Sequence, residues 1–558
     1  MDRETLRYAL LTDLYQITMA QGYWETGKGD EEACFFMFFR DNPFEGGFAV
    51  ACGCAQLAEM VDGFGFDADD ISYLASLTAP AGGPLFDTRF LAYLSTMRLS
   101  VDIDAVREGT IVFPMEPIVR VTGPIMQCQL LETALLNCMN FQTLIATKAA
   151  RVCLAAQTPV AEFGLRRAQG AGGSLWASRA AVVGGCASTS NVLAGKKYGI
   201  PVSGTHAHSW VMAFDDELEA FRAYARSFPK NCVLLVDTYD VKRGIDNAIT
   251  VGLEMRERGE RLLGIRIDSG DLAWLAKHAR EKLDAAGLSD CGIVLSNDLD
   301  EHAIASIRAQ GAQVSSWGVG TKLATAYDQP SLGGVYKLSA TRESGDVAWT
   351  GRLKVSEQSS KLTIPGVLDV RRYMDAEGRL AGDMVFDVDA GVGAEETIVD
   401  PADVLRRKAL AGMSCTTLLA PLARAGASVL ADEDRSAMAA RDRVAAGLAQ
   451  LDESQKRLYR PHSYPVGLEM GLWNRRADLV ARLRGQKQNE RLIGSCHGPG
   501  RAPAWAEERA CLGASAAASS ARLARSMQAR LSTISSWTCE RIRLLKLWFL
   551  AATCGPRA

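Results

Sequence analysis

The apolar residues in the middle of the chain form short runs, and each run ends in a polar cluster. The four runs are Cys-Val-Leu-Leu-Val (232–236), Leu-Leu-Gly-Ile (262–265), Gly-Ile-Val-Leu (292–295) and Val-Ser-Ser-Trp (314–317). The clusters at their ends are Val-Asp-Thr-Tyr (236–239), Arg-Ile-Asp-Ser-Gly-Asp (266–271), Ser-Asn-Asp (296–298) and Gly-Val-Gly-Thr (318–321). Helix-length stretches separate them, so the pattern predicts successive β/α units. In a parallel sheet or barrel of such units, the chemistry lies at the carboxyl ends of the strands.

Patterns outside these units predict further elements. Residues 10–25 are typical of a helix that begins on Thr12 or Asp13 as its cap. Residues 33–40 are apolar and aromatic, which indicates a strand. Residues 127–156 carry little charge over a helical length, and they predict a long buried helix.

The length of the chain, 558 residues, predicts two or three domains, because a single hydrophobic core does not grow to that size. Residues 341–485 have strand-like and then helical patterns without a catalytic cluster. We expect them to form a smaller mixed domain that packs on the amino-terminal segment. The predicted order is an N-terminal α+β domain (1–126), an α/β catalytic domain (127–340), the C-terminal mixed domain (341–485) and a tail (486–558).

Composition excludes several classes of function. The formal net charge of −3 gives no reason to expect nucleic-acid binding. The charged amino terminus lacks the apolar core of a signal peptide, and no apolar run is long enough to predict a membrane span. The fourteen cysteines are scattered, many of them inside apolar runs, which indicates reduced thiols in a cytoplasmic protein rather than a disulfide set.

The tail differs from the rest of the chain. Residues 486–558 contain eleven Lys and Arg against four Glu and no Asp, a net charge of +7. One interpretation is a basic segment that contacts a membrane surface or an acidic partner. The absence of a stable hydrophobic period favours the other, a disordered extension or the product of an altered reading frame.

Asp268 and Asp271 are separated only by Ser269 and Gly270, directly after a predicted strand. Because glycine allows a tight turn, both carboxylates can face one cavity. Two acids at a strand end suit a Mg²⁺ or Mn²⁺ ion, or the cis-diol of a ribose. The alternative is that Asp268 or Ser269 caps the helix that follows.

Two clusters on neighbouring β/α units are typical of phosphate binding. Gly320 and Thr321, and likewise Ser296 and Asn297, combine backbone N–H donors with hydroxyl or amide side chains at helix starts. Each cluster alone is a weak signal, and together they indicate a phosphorylated ligand.

Cationic side chains add candidates for anion binding and phosphate transfer. Arg166 and Arg167 have the forked donors that suit carboxylates and phosphates, with an exposed helix face as the alternative. His206 and His208 lack a third metal ligand at typical spacing, so we expect one of them to act as a general base or phosphate acceptor. The other is expected to be a core histidine.

Seven segments of the chain resemble nicotinate phosphoribosyltransferases. They are residues 10–20 (Leu-Leu-Thr-Asp-Leu-Tyr-Gln-Ile-Thr-Met-Ala), Glu-Phe-Gly-Leu-Arg-Arg-Ala-Gln-Gly (162–170), Ser-Thr-Ser-Asn-Val-Leu-Ala-Gly (188–195), Gly-Thr-His-Ala-His-Ser (204–209), Asp-Thr-Tyr-Asp (237–240), Arg-Ile-Asp-Ser-Gly-Asp-Leu (266–272) and Ser-Leu-Gly-Gly-Val-Tyr-Lys-Leu (331–338). The resemblance covers about residues 8–485. It implies an irregular α/β barrel of the type II phosphoribosyltransferase fold and a homodimer, beside the smaller domain that the residue patterns predict from both terminal segments.

The resemblance also implies a reaction. Nicotinate would combine with 5-phosphoribosyl 1-pyrophosphate to give nicotinate mononucleotide and pyrophosphate, the first step of NAD salvage from nicotinate. ATP is the expected co-substrate, and its hydrolysis would pass through a phosphohistidine.

The family's functional residues transfer to this chain as follows. His208 would be the phosphohistidine. Asp268 and Asp271, which the residue pattern and not the resemblance indicates, are expected to act at the ribose or its metal-bound pyrophosphate. Phe163 would stack on the pyridine ring. The residues expected to bind the remaining groups are Thr205 and Tyr15 at nicotinate, with Tyr15 reaching across the dimer, Arg166 and Arg266 at anionic groups, and Thr321 at the 5′-phosphate. His206 has no counterpart in the family pattern and receives no role.

Three alternatives remain open. The same chemistry on nicotinamide would call for a carboxylate near Asn191, where the uncharged side chain favours an anionic ring instead. Quinolinate would require more cations for its second carboxylate. A catalytically silent barrel that acts as a binding protein is a third possibility, because a fold does not determine a function.

Overall fold

The computed structural model describes residues 8–343, 345–355 and 363–485. The predicted tail, residues 486–558, lies outside the described residues. The described residues all belong to a compact unit that spans Met1–Gln488.

Helices account for much of the described chain. They are α1 (Leu14–Glu25), α2 (Cys54–Asp62), α3 (Ala68–Ser76), α4 (Thr88–Thr96), α5 (Ile125–Leu130), α6 (Glu132–Ala156), α7 (Gly170–Val183), α8 (Val192–Tyr198), α9 (His208–Met212), α10 (Glu217–Ser227), α11 (Val241–Glu257), α12 (Leu272–Ala285), α13 (Glu301–Ala309), α14 (Thr321–Ala324), α15 (Asp432–Arg435), α16 (Ala437–Gln450) and α17 (Met470–Leu483).

Strands lie before, between and after these helices. They are β1 (Glu32–Phe38), β2 (Ala49–Val50), β3 (Asp102–Val106), β4 (Ile111–Val112), β5 (Val119–Pro124), β6 (Val160–Glu162), β7 (Ser188–Thr189), β8 (Val233–Leu235), β9 (Gly264–Ile267), β10 (Gly292–Asn297), β11 (Ser316–Val319), β12 (Val335–Arg342), β13 (Thr350–Gly351), β14 (Leu368–Met374), β15 (Leu380–Asp387), β16 (Thr397–Val399), β17 (Arg407–Ala409), β18 (Ser414–Thr417), β19 (Leu419–Arg424), β20 (Ala427–Ser428) and β21 (Val466–Glu469).

A six-stranded parallel sheet, in the order β7-β6-β11-β10-β9-β8, forms the part of the fold that carries the polar clusters. The four apolar runs become β8, β9, β10 and β11, so the predicted β/α units are confirmed. Helices α11, α12 and α13 connect these strands, as parallel pairing requires a crossover. Within the described chain the two edge strands, β7 and β8, do not pair with each other.

A seven-stranded antiparallel sheet combines distant parts of the chain in the order β13-β12-β1-β5-β3-β19-β20. Strand β1 pairs with β12 on one side and with β5 on the other. Strand β19 pairs with β3, and this brings the segment after residue 341 onto the amino-terminal strands. A mixed sheet, in the order β17-β16-β21-β15-β14-β18, completes the C-terminal part. Its pairs are antiparallel except for β15 and β21, which run parallel. The fold is therefore mixed α/β. The boundaries at residues 126, 340 and 485 remain predictions.

The predicted long buried helix is confirmed, with a break at Leu131 that divides it into α5 and α6. Helix α6 has buried residues along its whole length, including the charged Lys148 and Arg151. Both cations are paired with the buried carboxylate of Glu301. Pairing is required because an isolated charge is costly to bury.

The amino-terminal helix is confirmed as α1, with Asp13 at the cap position. The strand predicted from residues 33–40 is confirmed as β1, whose last six residues are all buried. In the part of the chain that the structure describes, no helix is both long and apolar enough to cross a membrane. The ten cysteines described there are free thiols.

Candidate active site

A cavity of about 320 Å³ opens at the carboxyl ends of the parallel strands. Its lining comes from the loops after β6, β7, β9, β10 and β11 and from the segment before α9. The lining residues are Phe163, Arg166, Arg167, Ser190, Gly204, Thr205, His206, Ala207, Arg266, Asp268, Ser296, Asn297, Asp298, Gly318, Gly320 and Thr321. The polar clusters of separate β/α units therefore meet at one place, as parallel strands predict.

The two predicted phosphate-binding clusters lie side by side in this cavity. Strands β10 and β11 are parallel neighbours, and Ser296 pairs with Gly318 in the register. Asn297 has a φ of +127°, a conformation that a residue with a side chain rarely adopts. Backbone strain of this kind concentrates at binding sites, where surrounding structure maintains it.

Phe163 forms one wall of the cavity, between a glycine and an arginine. A Cβ atom on Gly318 would lie only 2.6 Å from two ring carbons of Phe163, so the ring position requires glycine there. The guanidinium carbon of Arg266 lies 5.5 Å from the ring centroid, a cation–π distance. The ring is therefore held in place.

Arg266 joins three elements of the site through hydrogen bonds. Its Nε donates to Oγ of Ser296 at 2.8 Å, and Nη1 donates to Oγ1 of Thr205 at 3.1 Å. Its Nη2 donates to Oδ1 of Asp268 at 3.0 Å. The Ser296 hydroxyl donates to the same Oδ1. The predicted residues Thr205, Arg266, Asp268 and Ser296 thus form one connected group.

His208 lies beside this group, at the first residue of α9. Its Nδ1 is 3.2 Å from the hydroxyl oxygen of Thr238, and its Nε2 is 4.0 Å from Oδ2 of Asp268. The side chain is 41 % exposed, so a reagent in solution can reach the ring.

Asp237 supports this arrangement from behind. Its Oδ2 accepts hydrogen bonds from the backbone N–H of Asp268 at 3.1 Å and from the Ser269 hydroxyl at 2.6 Å. Its Oδ1 is buried without a hydrogen-bond partner among the described residues. Asp237 and Thr238 were not predicted as site residues, although the polar cluster after β8 contains both of them.

Asp268 lines the cavity, but Asp271, which was expected to face it as well, is not among the lining residues. Asp271 is the N-cap of α12, and its Oδ1 accepts a hydrogen bond from the Trp274 N–H at 3.1 Å. The alternative was a cap of this helix by Asp268 or Ser269. The helix is capped, but the capping residue is Asp271. The turn through Gly270, which has a φ of +79°, directs the two carboxylates differently.

The other predicted site residues divide into two groups. Those that line the cavity are Phe163, Arg166, Thr205, Arg266, Asp268, Ser296, Asn297, Gly320 and Thr321. Tyr15 is 48 % exposed on α1 and does not line the cavity of its own chain. Arg167, which the sequence indicated as a candidate for anion binding, lines the cavity as well. The lining residues that were given no role are Ser190, Gly204, His206, Ala207, Asp298 and Gly318. Each is a chain neighbour of a predicted or quoted residue, which was the available signal.

Asn191 does not face the cavity. Its side chain is buried, accepts from the Ala194 N–H at 3.2 Å as the cap of α8, and donates to the Ser178 hydroxyl at 3.2 Å. The same hydroxyl donates to buried Glu162 at 3.0 Å. The absence of a carboxylate at position 191 therefore does not distinguish nicotinate from nicotinamide as the ring that the cavity binds.

His206 is a buried histidine with both ring nitrogens engaged. Its Nε2 accepts from the Leu235 N–H at 3.2 Å, and its Nδ1 is 3.3 Å from the Ala207 carbonyl oxygen. These partners require a neutral ring with its proton on Nδ1. Burial lowers the pKa of His206 to about 4, against the opposing effect of the Ala207 carbonyl, and the charge of Arg266 lowers it further.

We expect His206 to make stability dependent on pH. Because its pKa falls from 6.5 to about 4 on folding, the unfolded chain binds the extra proton between these values. Stability is complete above pH 6.5 and decreases as the pH falls toward 4, by up to ~3 kcal/mol from this group. The melting temperature of His206→Leu should decrease less between pH 7.5 and pH 5 than the melting temperature of the wild type. An equal loss in both proteins would contradict the assignment.

The cavity has the chemistry of an anion-binding site. Three arginines line it, Arg166, Arg167 and Arg266, against the two carboxylates Asp268 and Asp298. Asp268 is already paired with Arg266 at 3.0 Å. Arginine forks and clustered loop donors together suit ligands that carry carboxylate or phosphate groups.

Protein-family models match nearly the whole described chain. A nicotinate phosphoribosyltransferase N-terminal domain model covers residues 10–140, the model of the family itself covers residues 159–363, and a C-terminal domain model of the same enzymes covers residues 369–476.

Individual relatives agree with these models. The chain is 41 % identical over 487 residues to a nicotinate phosphoribosyltransferase of Bacillus subtilis, covering 86 % of this chain and 97 % of the relative. The human nicotinate phosphoribosyltransferase is 37 % identical, over 67 % of this chain and 79 % of its own. The crystal structure of human nicotinic acid phosphoribosyltransferase superimposes with a TM-score of 0.71 at 32 % identity, covering 84 % and 99 % of the two chains. A nicotinate-nucleotide pyrophosphorylase from Pyrococcus furiosus, at 20 % identity and a TM-score of 0.60 over 81 % of this chain and 99 % of its own, shares the fold.

Proposed function

Because the chain belongs to the nicotinate phosphoribosyltransferase family, we propose that its cavity joins nicotinate to 5-phosphoribosyl 1-pyrophosphate and couples the reaction to ATP. The products are nicotinate mononucleotide and pyrophosphate. The observation that carries the proposal is the Arg266 group. One guanidinium there joins Thr205, Ser296 and Asp268 beside the ring of Phe163.

Nicotinate fits the apolar and cationic side of the cavity. The face of Phe163 offers a stacking surface for the flat pyridine ring. Arg166 and Arg266 supply charge for its carboxylate, and Thr205 adds a hydroxyl. A forked guanidinium binds a carboxylate with two parallel hydrogen bonds, which favours the acid over the neutral amide.

Phosphoribosyl pyrophosphate fits the side formed by the loops after β10 and β11. Thr321 and Gly320 would bind the 5′-phosphate, with Ser296 and Asn297 at the end of the neighbouring strand β10. The ring nitrogen of nicotinate attacks C1 of the ribose as the bond to pyrophosphate breaks, through an oxocarbenium-like state. Since nicotinate is already a nucleophile, the protein contributes positioning and charge stabilisation rather than a strong base.

The carboxylates of the site fit a Mg²⁺ or Mn²⁺ ion shared with substrate phosphates. Asp268 would hold it, supported by Asp237, whose Oδ1 is buried without a partner among the described residues. No group of three or more metal-ligating side chains occurs within the described ranges. An ion held by one or two carboxylates completes its shell with water and substrate phosphates. When bound, such an ion would neutralise charge on the departing pyrophosphate.

His208 is the proposed acceptor of the γ-phosphate of ATP. In the tautomer that places the proton on Nδ1, toward the Thr238 hydroxyl, the ring would present the lone pair of Nε2 as the nucleophile. Nε2 then bonds to the phosphorus, and ADP leaves. Water later hydrolyses the phosphohistidine to inorganic phosphate, which restores the imidazole. A phosphorylated ring adds negative charge beside Asp268 and Arg266, so it can alter substrate affinity.

A homodimer is part of the proposal. Leu14, Tyr15 and Met19 on the outer face of α1 are between 41 % and 52 % exposed, which is unusual for large apolar side chains on one helix. The elements that flank the cavity expose Val192 and Met212 as well. A partner's α1 over this rim would bring a second Tyr15 to the nicotinate end. The remaining parts of the proposal are closure of the parallel sheet into an irregular barrel, the four-segment domain organisation and a cytoplasmic location.

Product analysis tests the proposal directly. Purified protein is incubated with phosphoribosyl pyrophosphate, Mg²⁺ and either nicotinate or nicotinamide, with and without ATP. We expect nicotinate mononucleotide, a much lower yield from nicotinamide, and a faster reaction with ATP. Preference for nicotinamide would select the amide-using alternative. If no mononucleotide forms and phosphoribosyl pyrophosphate does not raise the melting temperature, the silent-barrel alternative stands.

A further inference from the structure

Two neighbouring loops of the cavity are joined by an ion pair that lies outside the cavity lining. Nζ of Lys322 is 2.7 Å from Oδ2 of Asp300. Lys322 follows Thr321 directly in α14, the short helix after β11. Asp300 ends the loop after β10, which begins with Asp298. The two side chains are 28 % and 10 % exposed, so water screens the pair only in part.

Both oxygens of the Asp300 carboxylate are engaged. Oδ1 accepts hydrogen bonds from the backbone N–H groups of His302 at 3.1 Å and Ala303 at 2.8 Å, which caps α13. Oδ2 accepts from Lys322. Burial alone would raise the pKa of Asp300, but the Ala303 amide and the Lys322 ammonium lower it overall. The carboxylate is therefore charged and fixed in direction.

The Asp300 end of the pair is anchored to the core of the molecule. Glu301, the first residue of α13, is fully buried and lies 2.6 Å from Nζ of Lys148. Its other oxygen accepts from Nε of Arg151 at 2.9 Å. Both cations belong to the long central helix α6. The start of α13 thus cannot move without breaking buried ion pairs, which are costly to break.

The Lys322 end belongs to a much shorter element. Helix α14 has only four residues, Thr321–Ala324, and follows Gly320. At the end of the neighbouring strand β10, Asn297 has its unusual φ of +127°. One partly buried ion pair therefore connects a short, phosphate-facing turn to an anchored helix start.

We propose that the Lys322–Asp300 ion pair sets the separation of the two phosphate-binding loops, and so determines affinity for phosphoribosyl pyrophosphate without touching it. The inference rests on the proposed function, since it takes the loops after β10 and β11 as the phosphate side of the cavity. Lys322 is a positioning residue in this scheme, because it does not line the cavity.

Replacement of Lys322 by Met keeps the apolar stem and removes the charge. We expect the KM for phosphoribosyl pyrophosphate to rise by about tenfold, because the turn at Thr321 is no longer held in register with Asn297. The KM for nicotinate should change by less than about twofold, and kcat should fall less than the KM rises. A general loss of fold would shift both KM values and the melting temperature together.

Three further variants isolate the ion pair. Asp300→Asn keeps a good helix cap and loses the charge, so it should match Lys322→Met. The double variant should have no higher KM for phosphoribosyl pyrophosphate than either single variant, since both substitutions remove the same interaction. Lys322→Arg should restore most of the affinity. As a matched control, Lys282→Met removes a lysine of an ion pair with Asp246 (2.5 Å) on the outer helices and should leave both KM values unchanged.

The result has clear alternatives. Each of three outcomes would overturn the proposal. Lys322→Met could keep the wild-type KM for phosphoribosyl pyrophosphate, or its KM values for both substrates could rise equally. The effects of the two single variants on KM could also add in the double variant. If the wild type makes no mononucleotide, the proposed function fails. The ion pair is then judged by the rise in melting temperature with added phosphoribosyl pyrophosphate, which reports binding without turnover. A smaller rise in melting temperature for Lys322→Met than for Lys282→Met supports the proposed role of the ion pair. Equal rises in the two variants reject that role.

Discussion

Replacement of His208 by Ala is expected to abolish ATP hydrolysis and the stimulation of nicotinate mononucleotide synthesis by ATP. The imidazole supplies the only nucleophile in the proposed phosphate transfer, so its loss removes the coupled step altogether. Slow synthesis without ATP should survive, because Phe163, Arg266 and the phosphate loops still position both substrates. The measurement is acid-labile ³²P incorporation from γ-labelled ATP, beside product formation with and without ATP.

His206 provides the control for this experiment. Its ring is neutral and occupied, with Leu235 N–H on Nε2 and the Ala207 carbonyl at Nδ1. It therefore has no free lone pair for the γ-phosphate, and His206→Ala should retain the label. Label that persists in His208→Ala and disappears in His206→Ala would show that the wrong histidine had been assigned. If even the wild type takes up no label, the coupling mechanism is wrong and a plain phosphoribosyltransferase remains.

Replacement of Asp268 by Asn should lower kcat/KM for phosphoribosyl pyrophosphate by roughly 100-fold, about 2.7 kcal/mol of transition-state stabilisation. The substitution keeps the size of the side chain but removes the charge that faces Arg266 at 3.0 Å and His208 at 4.0 Å. It also removes the carboxylate proposed to share a metal ion with the substrate. The effect on nicotinate binding should be smaller. Steady-state kinetics with each substrate varied in turn measure the difference.

Asp271 is the matched comparison, three residues away on the same turn. Since its carboxylate caps α12 and asparagine is an equally good cap, Asp271→Asn should change kcat/KM by less than about twofold. Equal losses in the two variants would mean that both carboxylates act at the substrate, as the sequence pattern suggested. Loss confined to Asp271→Asn would contradict the assignment of Asp268.

The location of the site could be predicted from the sequence because it follows from local patterns and one topological rule. Apolar runs of strand length end in polar clusters, and parallel strands bring their carboxyl ends to the same edge. For this reason Arg266, Ser296 and Thr321 were expected together and lie together. The resemblance to a family added the substrates, which patterning alone does not identify.

Side-chain direction was decided only in the folded chain. Asp268 and Asp271 have the same chemistry and lie on the same turn, but one faces Arg266 and the other caps a helix. The carboxylate that accompanies Asp268 is Asp237, thirty-one residues earlier, because β8 and β9 are parallel neighbours. Patterning shows which residues reach a strand end, and it does not show which way each side chain turns.

The sequence by itself determined the β/α units, the long buried helix and the edge of the sheet where the chemistry lies, since each depends on periodicity within one segment. The tertiary structure decided which distant segments pair. It placed β12 beside β1, joined Lys322 to Asp300, and enclosed the charges of Lys148 and Arg151 around Glu301. These contacts depend on packing geometry between elements far apart in the chain, and no local pattern encodes that geometry.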